Sequence, residues 1–224
     1  MPTISPQAFF FDFDGVIVDS EQVHMAAARA ASETFGVTFT RDYYYEILLG
    51  FDDVGLFTHL WGEQLGKKPD EALLKDLMKK KNDAFMEKIR TELVFFDGVL
   101  DLINRLNAKS IPLSVVSGAL RKEVELCLEA GQIKNLFPCI VSANDVECSK
   151  PHPESYLKAF QTISQTTPNL KPADCWAIED SPAGIVSAKG AGLKVIGITN
   201  SVSADALSAA DIIISKYEEI ELSK

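Results

Sequence analysis

Residues 8–21 read AFFFDFDGVIVDSE, and the placement of Asp12 and Asp14 inside that otherwise apolar, aromatic run decides the fold. An ionised carboxylate buried without partners is costly, because it gives up its hydration. Either the run leaves the core at Asp12, or a positive charge waits there. Ala8 to Phe11 are apolar at consecutive positions, which predicts a strand covered on both faces.

Working outward, similar runs recur: IPLSVVS, CIVSA, DCWAIED, LKVIGIT and DIIIS each read as a strand. Helical patterns lie between them. Val99, Leu102, Ile103 and Leu106 form one stripe, Leu120, Val124 and Cys127 a second, and a helix after SPAG stops at Gly190 or Gly192. Alternating strands and helices predict an α/β fold, a Rossmann-like, doubly wound parallel sheet. One section breaks the alternation. Residues 17–92 hold no strand pattern but three or four helices, where a crossover needs one. Asp19 or Ser20, with Gln22, supplies a capping signal there. Val23, Ala26, Ala27, Ala30 and Ala31 supply a small-residue face, and another helix is expected from about Pro69 to Arg90. The simplest organisation is a catalytic core of residues 1–16 and 93–224 with an inserted helical cap over 17–92.

Composition excludes several classes of partner. The 22 Lys and Arg against 32 acids give a net charge of -10, which disfavours nucleic acid and anionic membranes. Neither a secretory leader in MPTISPQAFFF nor a bilayer-length apolar run is evident, so a cytoplasmic location is expected. Cys127, Cys139, Cys148 and Cys175 lack paired zinc or redox spacing, and His24, His59 and His152 are scattered, so free thiols are expected. The oligomeric state is left open.

In an open parallel sheet, ligands bind beyond the carboxyl ends of the strands. Three predicted strands end in Asp12-Phe13-Asp14-Gly15, Ser117-Gly118 and Glu179-Asp180, and Lys150 precedes a predicted helix near Pro151–Glu154. All-oxygen ligands without histidine or thiolate favour a hard ion, and Mg²⁺ is the usual choice where a phosphate also coordinates. A carboxylate can attack phosphorus, a second can protonate the leaving alkoxide, and Ser117, the following N–H and Lys150 can hold phosphoryl oxygens. Each residue also has a structural explanation. Asp14-Gly15 fits a turn, Asp19-Ser20 a cap, Ser117-Gly118 an ordinary strand end, Lys150 a surface ion pair, and Glu179-Asp180 a helix start.

In this order the residues resemble the haloacid dehalogenase superfamily of phosphotransferases. DFDGVIVDSE is similar to its first motif, VVSGA to its second, SKPHPESY to its third and IEDSPAGIVSAKGAG to its fourth. The insert resembles the helical cap of the subfamily containing β-phosphoglucomutase and phosphoglycolate phosphatase. The resemblance implies Asp12 as nucleophile and Asp14 as general acid/base. It implies Ser117, Gly118 and Lys150 as phosphate-binding residues, and Asp12, Asp14 (through its carbonyl), Glu179 and Asp180 as Mg²⁺ ligands. His24 matches a histidine near the family's cap hinge, or else packs a helix start. Asp14 argues against dehalogenase chemistry, which lacks that residue, and no cap lysine matches the phosphonatase amine.

β-Phosphoglucomutases resemble one another in a cap segment G-x-S-R-x-x-S. Here Gly50, Phe51, Asp52 and Asp53 occupy its start, with Asp53 at the arginine position. A carboxylate there repels a second phosphate, and Asp52 and Asp53 are expected to meet substrate hydroxyls instead. The implied activity is a Mg²⁺-dependent phosphatase on a small phosphorylated metabolite, a sugar phosphate, through an aspartyl-phosphate. A hexose-phosphate mutase and a non-catalytic binding protein are the alternatives.

Overall fold

A computed structural model describes residues 2–49 and 51–223. The chain divides into two compact units, Met1–Asp19 with Val94–Lys224, and Ser20–Leu93. The main sheet of the first has six parallel strands, β1 (Ala8–Phe11), β2 (Leu113–Val116), β3 (Cys139–Val141), β4 (Cys175–Glu179), β5 (Lys194–Ile198) and β6 (Ile212–Ile214). Their spatial order is β3-β2-β1-β4-β5-β6. The order runs one way from β1 through β2 and β3 and the other way from β4 onward. The connections therefore diverge at β1, and open sheets of this kind bind ligands beyond the strand ends at such a point.

All four residues of β1 are fully buried, as a strand covered on both faces requires. Phe10 joins Ala8, Val116, Tyr156, Ala177 and Ile185 in one cluster. Phe9 and Phe11, two apart and so on the opposite face, meet at 4.8 Å between ring centres, and Phe11 packs edge-on against Phe137 at 5.9 Å. The apolar run thus ends where both layers of core end, at Asp12.

Helices Val99–Ala108, Arg121–Ala130, Glu154–Ser164 and Pro182–Gly190 belong to this unit. The stripe Val99, Leu102, Ile103 and Leu106 is buried throughout. Leu120 departs from the expected second stripe. It precedes the helix at the N-cap position and is 45% exposed, while Val124, Cys127 and Leu128 carry the buried face.

The second unit holds helices Glu21–Glu33, Asp53–Leu65 and Glu71–Glu92, with a short turn of helix at Arg41–Tyr43 running into a π turn at Tyr44–Leu48. Its core gathers Ala28, Ala31, Phe57, Leu60, Trp61 and Leu77. Asp52 and Asp70 cap the second and third helices through bonds from Gly55 N–H at 2.7 Å and Leu73 N–H at 2.8 Å. The capping box expected at Asp19 and Gln22 does not form. Ser20 holds the N-cap position without a side-chain cap bond, and Val18–Asp19 instead pairs antiparallel with Val94–Phe95. A two-residue strand is too short to leave a periodic signal, which is why 17–92 read as free of strands. No helix among the described residues is long and apolar enough to cross a membrane.

Candidate active site

Acids gather at the carboxyl ends of β1 and β4. Asp12 directly follows β1, Glu179 ends β4 and Asp180 follows it, and the parallel register of β1 with β4 brings them side by side, with Asp12 N–H donating to Ile178 O at 3.1 Å. Asp12, Glu179 and Asp180 are buried and present carboxylate oxygens within 4.8 Å of one another. This answers the opening problem in part, since these acids share one place in the fold.

The positive charge is Lys150. Its ammonium donates to Asp12 Oδ1 at 2.6 Å, Glu179 Oε1 at 2.7 Å and the carbonyl of Val116 at 3.0 Å, so all three protons are engaged. Burial works against the charged lysine. The carboxylates of Asp12 and Glu179 outweigh it, and the pKa of Lys150 rises above its ordinary value. Glu179, fully buried, is pushed upward by burial and by Asp12, with Lys150 and the Tyr156 hydroxyl pulling the other way. Asp180 is raised to about 6 by burial first and by the charge of Asp12 second, against bonds from Ser201 and the attraction of Lys150. Three acids against one ammonium leave an excess of negative charge in a buried site. The donor set is oxygen only, and a hard divalent cation fits both the charge and the chemistry.

Glycines allow the approach. Gly15 has a φ of 76° and lies so close to Asp180 that a methyl group there would overlap Asp180 Oδ2. Gly184, early in the helix that follows Asp180, likewise leaves room for the carboxylate of Glu179.

Among the other expected residues, Ser117 follows β2, is buried, and accepts from Ala119 N–H at 2.9 Å. Gly118 beside it is exposed. Lys150 reaches the carbonyl of Val116, the residue before Ser117, so the second and third motifs meet here. Asp14 is half-buried at the start of a tight turn in which Gly15 N–H donates to Val18 O at 3.0 Å. Its carboxylate is not part of the three-acid group.

The cap candidates lie in the second unit, and most have structural partners there. Asp52 caps a helix, and Asp53 pairs with the buried ammonium of Lys81. The expectation that both carboxylates await substrate hydroxyls is revised accordingly, because each charge is already met within the unit. Phe51 is 46% exposed and stacks on His59 at 5.5 Å. Gly50 lies outside the described residues. His24 stacks on Phe85 at 4.3 Å, and burial, reinforced by the charge of Lys81, lowers its pKa to about 4, so the ring is neutral at pH 7.

Several contributors were not assigned a role from sequence. The Tyr156 hydroxyl donates to Glu179 Oε1 at 2.6 Å, the Ser201 hydroxyl donates to Asp180 Oδ2, and Asn200 donates to the carbonyl of Gly15 at 2.8 Å. Asn200 and Ser201 follow β5, so the same strand-end rule applied to LKVIGIT would have found them. Tyr156 sits inside SKPHPESY but reads there as one more apolar helix residue.

A model of the haloacid dehalogenase-like hydrolase family matches residues 9–198. The protein CbbY of Rhodobacter capsulatus is 33% identical over 92% of this chain and 91% of its own. A phosphorylated carbohydrates phosphatase of Thermotoga maritima is 26% identical over 96% of each, and a β-phosphoglucomutase of Bacillus subtilis 27% identical over 96% of this chain and 92% of its own. A crystal structure of CbbY from Rhodobacter sphaeroides in complex with xylulose-(1,5)bisphosphate superposes with a TM-score of 0.78 at 24% identity, covering 97% of each chain.

Proposed function

The chain belongs to the haloacid dehalogenase-like hydrolase family, and on that premise we propose that it is a Mg²⁺-dependent phosphatase of a small sugar phosphate. One observation carries the reading: Lys150 bridges Asp12 and Glu179 in a buried group of three acids at the mouth of the sheet. Asp12, Glu179 and Asp180, with the main-chain carbonyl of Asp14, would hold the ion. When bound, it supplies positive charge against the phosphoryl oxygens as negative charge accumulates on them.

The residues of the chain divide the remaining work. A carboxylate oxygen of Asp12 attacks phosphorus, the P–O bond to the sugar breaks, and an aspartyl-phosphate forms on Asp12. Asp14 gives its proton to the departing sugar oxygen. It then takes one back from the water that attacks phosphorus, so that phosphate leaves and Asp12 is restored. The hydroxyl of Ser117 and the N–H of Gly118 donate to the phosphoryl oxygens, and the Lys150 proton now held by Asp12 Oδ1 turns to them as that carboxylate becomes an acyl phosphate. Glu179, whose Oε1 accepts from both Lys150 and Tyr156, fixes the ammonium for that role.

The kinship with a β-phosphoglucomutase keeps a mutase in view as the second reading. A mutase needs free cations for a second phosphate. In this cap the arginine position is Asp53, and Lys81, which pairs with it, is not free. That favours hydrolysis. The kinship with a phosphorylated carbohydrates phosphatase favours a sugar phosphate as substrate.

The test is phosphate release across sugar phosphates, phosphoglycolate and nucleotides in Mg²⁺, with product sugars analysed alongside. Free phosphate, lost in Asp12→Asn, is expected. An isomerised sugar phosphate without free phosphate would replace this reading with the mutase, and hydrolysis surviving in Asp12→Asn would end it.

A further inference from the structure

The loop that carries Lys150 also gathers three side chains of different chemistry. Cys148, His152 and Glu154 each offer a ligand atom, a sulfur, an imidazole nitrogen and a carboxylate oxygen, within 4.8 Å of one another. Cysteines and histidines considered separately show no metal spacing, but the mixed order Cys148, His152, Glu154 places three ligands within seven residues. Cys148 is the exposed member of the four cysteines, since Cys127, Cys139 and Cys175 are buried.

The loop is braced without using the thiol. Glu154 accepts at Oε1 from Glu147 N–H at 3.0 Å and at Oε2 from Cys148 N–H at 2.9 Å, which ties two of the three ligand positions together. The Ser187 hydroxyl donates to the carbonyl of His152 at 2.7 Å and anchors the third. The backbone bonds hold Glu154 below the ordinary carboxylate pKa, so it is anionic, and each oxygen keeps a second lone pair. His152 Nδ1 accepts from Glu154 N–H at 3.3 Å, a contact long enough to yield to a stronger partner.

We infer that this loop is a transition-metal site of the Cys-His-Glu kind, suited to Zn²⁺ and separate from the all-oxygen group around Asp12. Thiolate and imidazole select Zn²⁺ or Co²⁺ over Mg²⁺. In a tetrahedral site, metal–sulfur bonds of about 2.3 Å and metal–nitrogen bonds of about 2.0 Å set ligand atoms about 3.3–3.6 Å apart. Cys148 and His152 are exposed, and closing to that range from separations of no more than 4.8 Å is within reach of rotation about their side-chain bonds. Water fills the fourth position, and the proton displaced from the Cys148 thiol passes to solvent. Lys150 lies between Cys148 and His152 in the chain, so the ion ties the lysine's loop from both sides.

The test is a Co²⁺ titration of the whole protein in excess Mg²⁺, which occupies oxygen-only sites, read by absorbance. A thiolate-to-cobalt charge-transfer band saturating at about one equivalent and displaced by Zn²⁺ is expected. Cys148→Ser should abolish the band, and His152→Ala should weaken Co²⁺ binding by about tenfold or more. Circular dichroism checks that both variants are folded. Absence of a thiolate band, its persistence in Cys148→Ser, or unchanged affinity in His152→Ala overturns the site. None of these results depends on phosphatase activity.

Discussion

Tyr156→Phe removes a single oxygen from the interior and leaves the aromatic ring in place. Tyr156 is fully buried, its hydroxyl donates to Glu179 Oε1 at 2.6 Å, and Lys150 Nζ lies 5.3 Å from the ring centre. A hydrogen bond to a charged group contributes about 1.5–3 kcal/mol, and here the acceptor has no water to turn to. Glu179 Oε1 would keep only Lys150. A loss of about 2 kcal/mol corresponds, at about 2–4 °C per kcal/mol for a chain of this size, to a melting point lowered by about 4–8 °C. Thermal and urea unfolding in EDTA isolates the effect from compensation by a bound cation. The stricter assay is a double-mutant cycle with Glu179→Gln, in which the two substitutions should couple by about 1.5–3 kcal/mol. If Tyr156→Phe unfolds within about 0.5 kcal/mol of the parent, or the two changes simply add, the hydroxyl is not holding Glu179 and the reasoning fails.

Other consequences follow from the same charges. Asp180, raised to about 6, binds its proton more tightly folded than unfolded. Its contribution to stability is therefore present below about pH 4 and lost as pH rises to about 6, by about 3 kcal/mol without cation, and Mg²⁺ should recover much of that loss at pH 7. A urea series in EDTA and in Mg²⁺ that gave the same stability at both ends would contradict it. His24, lowered to about 4, should remain neutral well below the ordinary histidine range. An NMR titration of its ring that shows protonation near pH 6.5 would refute the buried, Lys81-facing environment. Gly184→Ala puts a methyl group into the space of the Glu179 carboxylate. A stability loss of about 1–3 kcal/mol is expected together with lost phosphate release, and a silent substitution would count against that packing.

The sheet was legible because its strands are buried on both faces. AFFF, CWAI and VIGI carry no polar side chain, and the acids that follow the first two, Asp12 and Glu179-Asp180, mark the rim. Asp12, Glu179, Asp180 and Lys150 could be placed together by the strand-end rule and by motif order alone. What escaped notice depends on contacts distant in sequence. Tyr156 reaches Glu179 across 23 residues and Ser201 reaches Asp180 across 21. Neither residue type announces a partner, since tyrosine on an apolar helix face and serine after a strand are both commonplace. The cap was harder for another reason. Asp53 looked like a free carboxylate because Lys81, its counter-ion, lies 28 residues away on another helix. Asp52 looked like a ligand but serves the backbone. Charge pairing between helices leaves no periodic mark, so sequence overstates the number of acids available to a ligand.

The most direct measurement is the chemical identity of the phosphorylated residue. Protein mixed with a turned-over sugar phosphate in Mg²⁺, quenched in acid within a single turnover and digested, should carry phosphate on Asp12 as a hydroxylamine-labile acyl phosphate, and Asp12→Asn should carry none. Phosphate on any other residue, or turnover with no phosphorylated Asp12 at any time, would contradict an attack on phosphorus by the carboxylate that Lys150 holds at 2.6 Å.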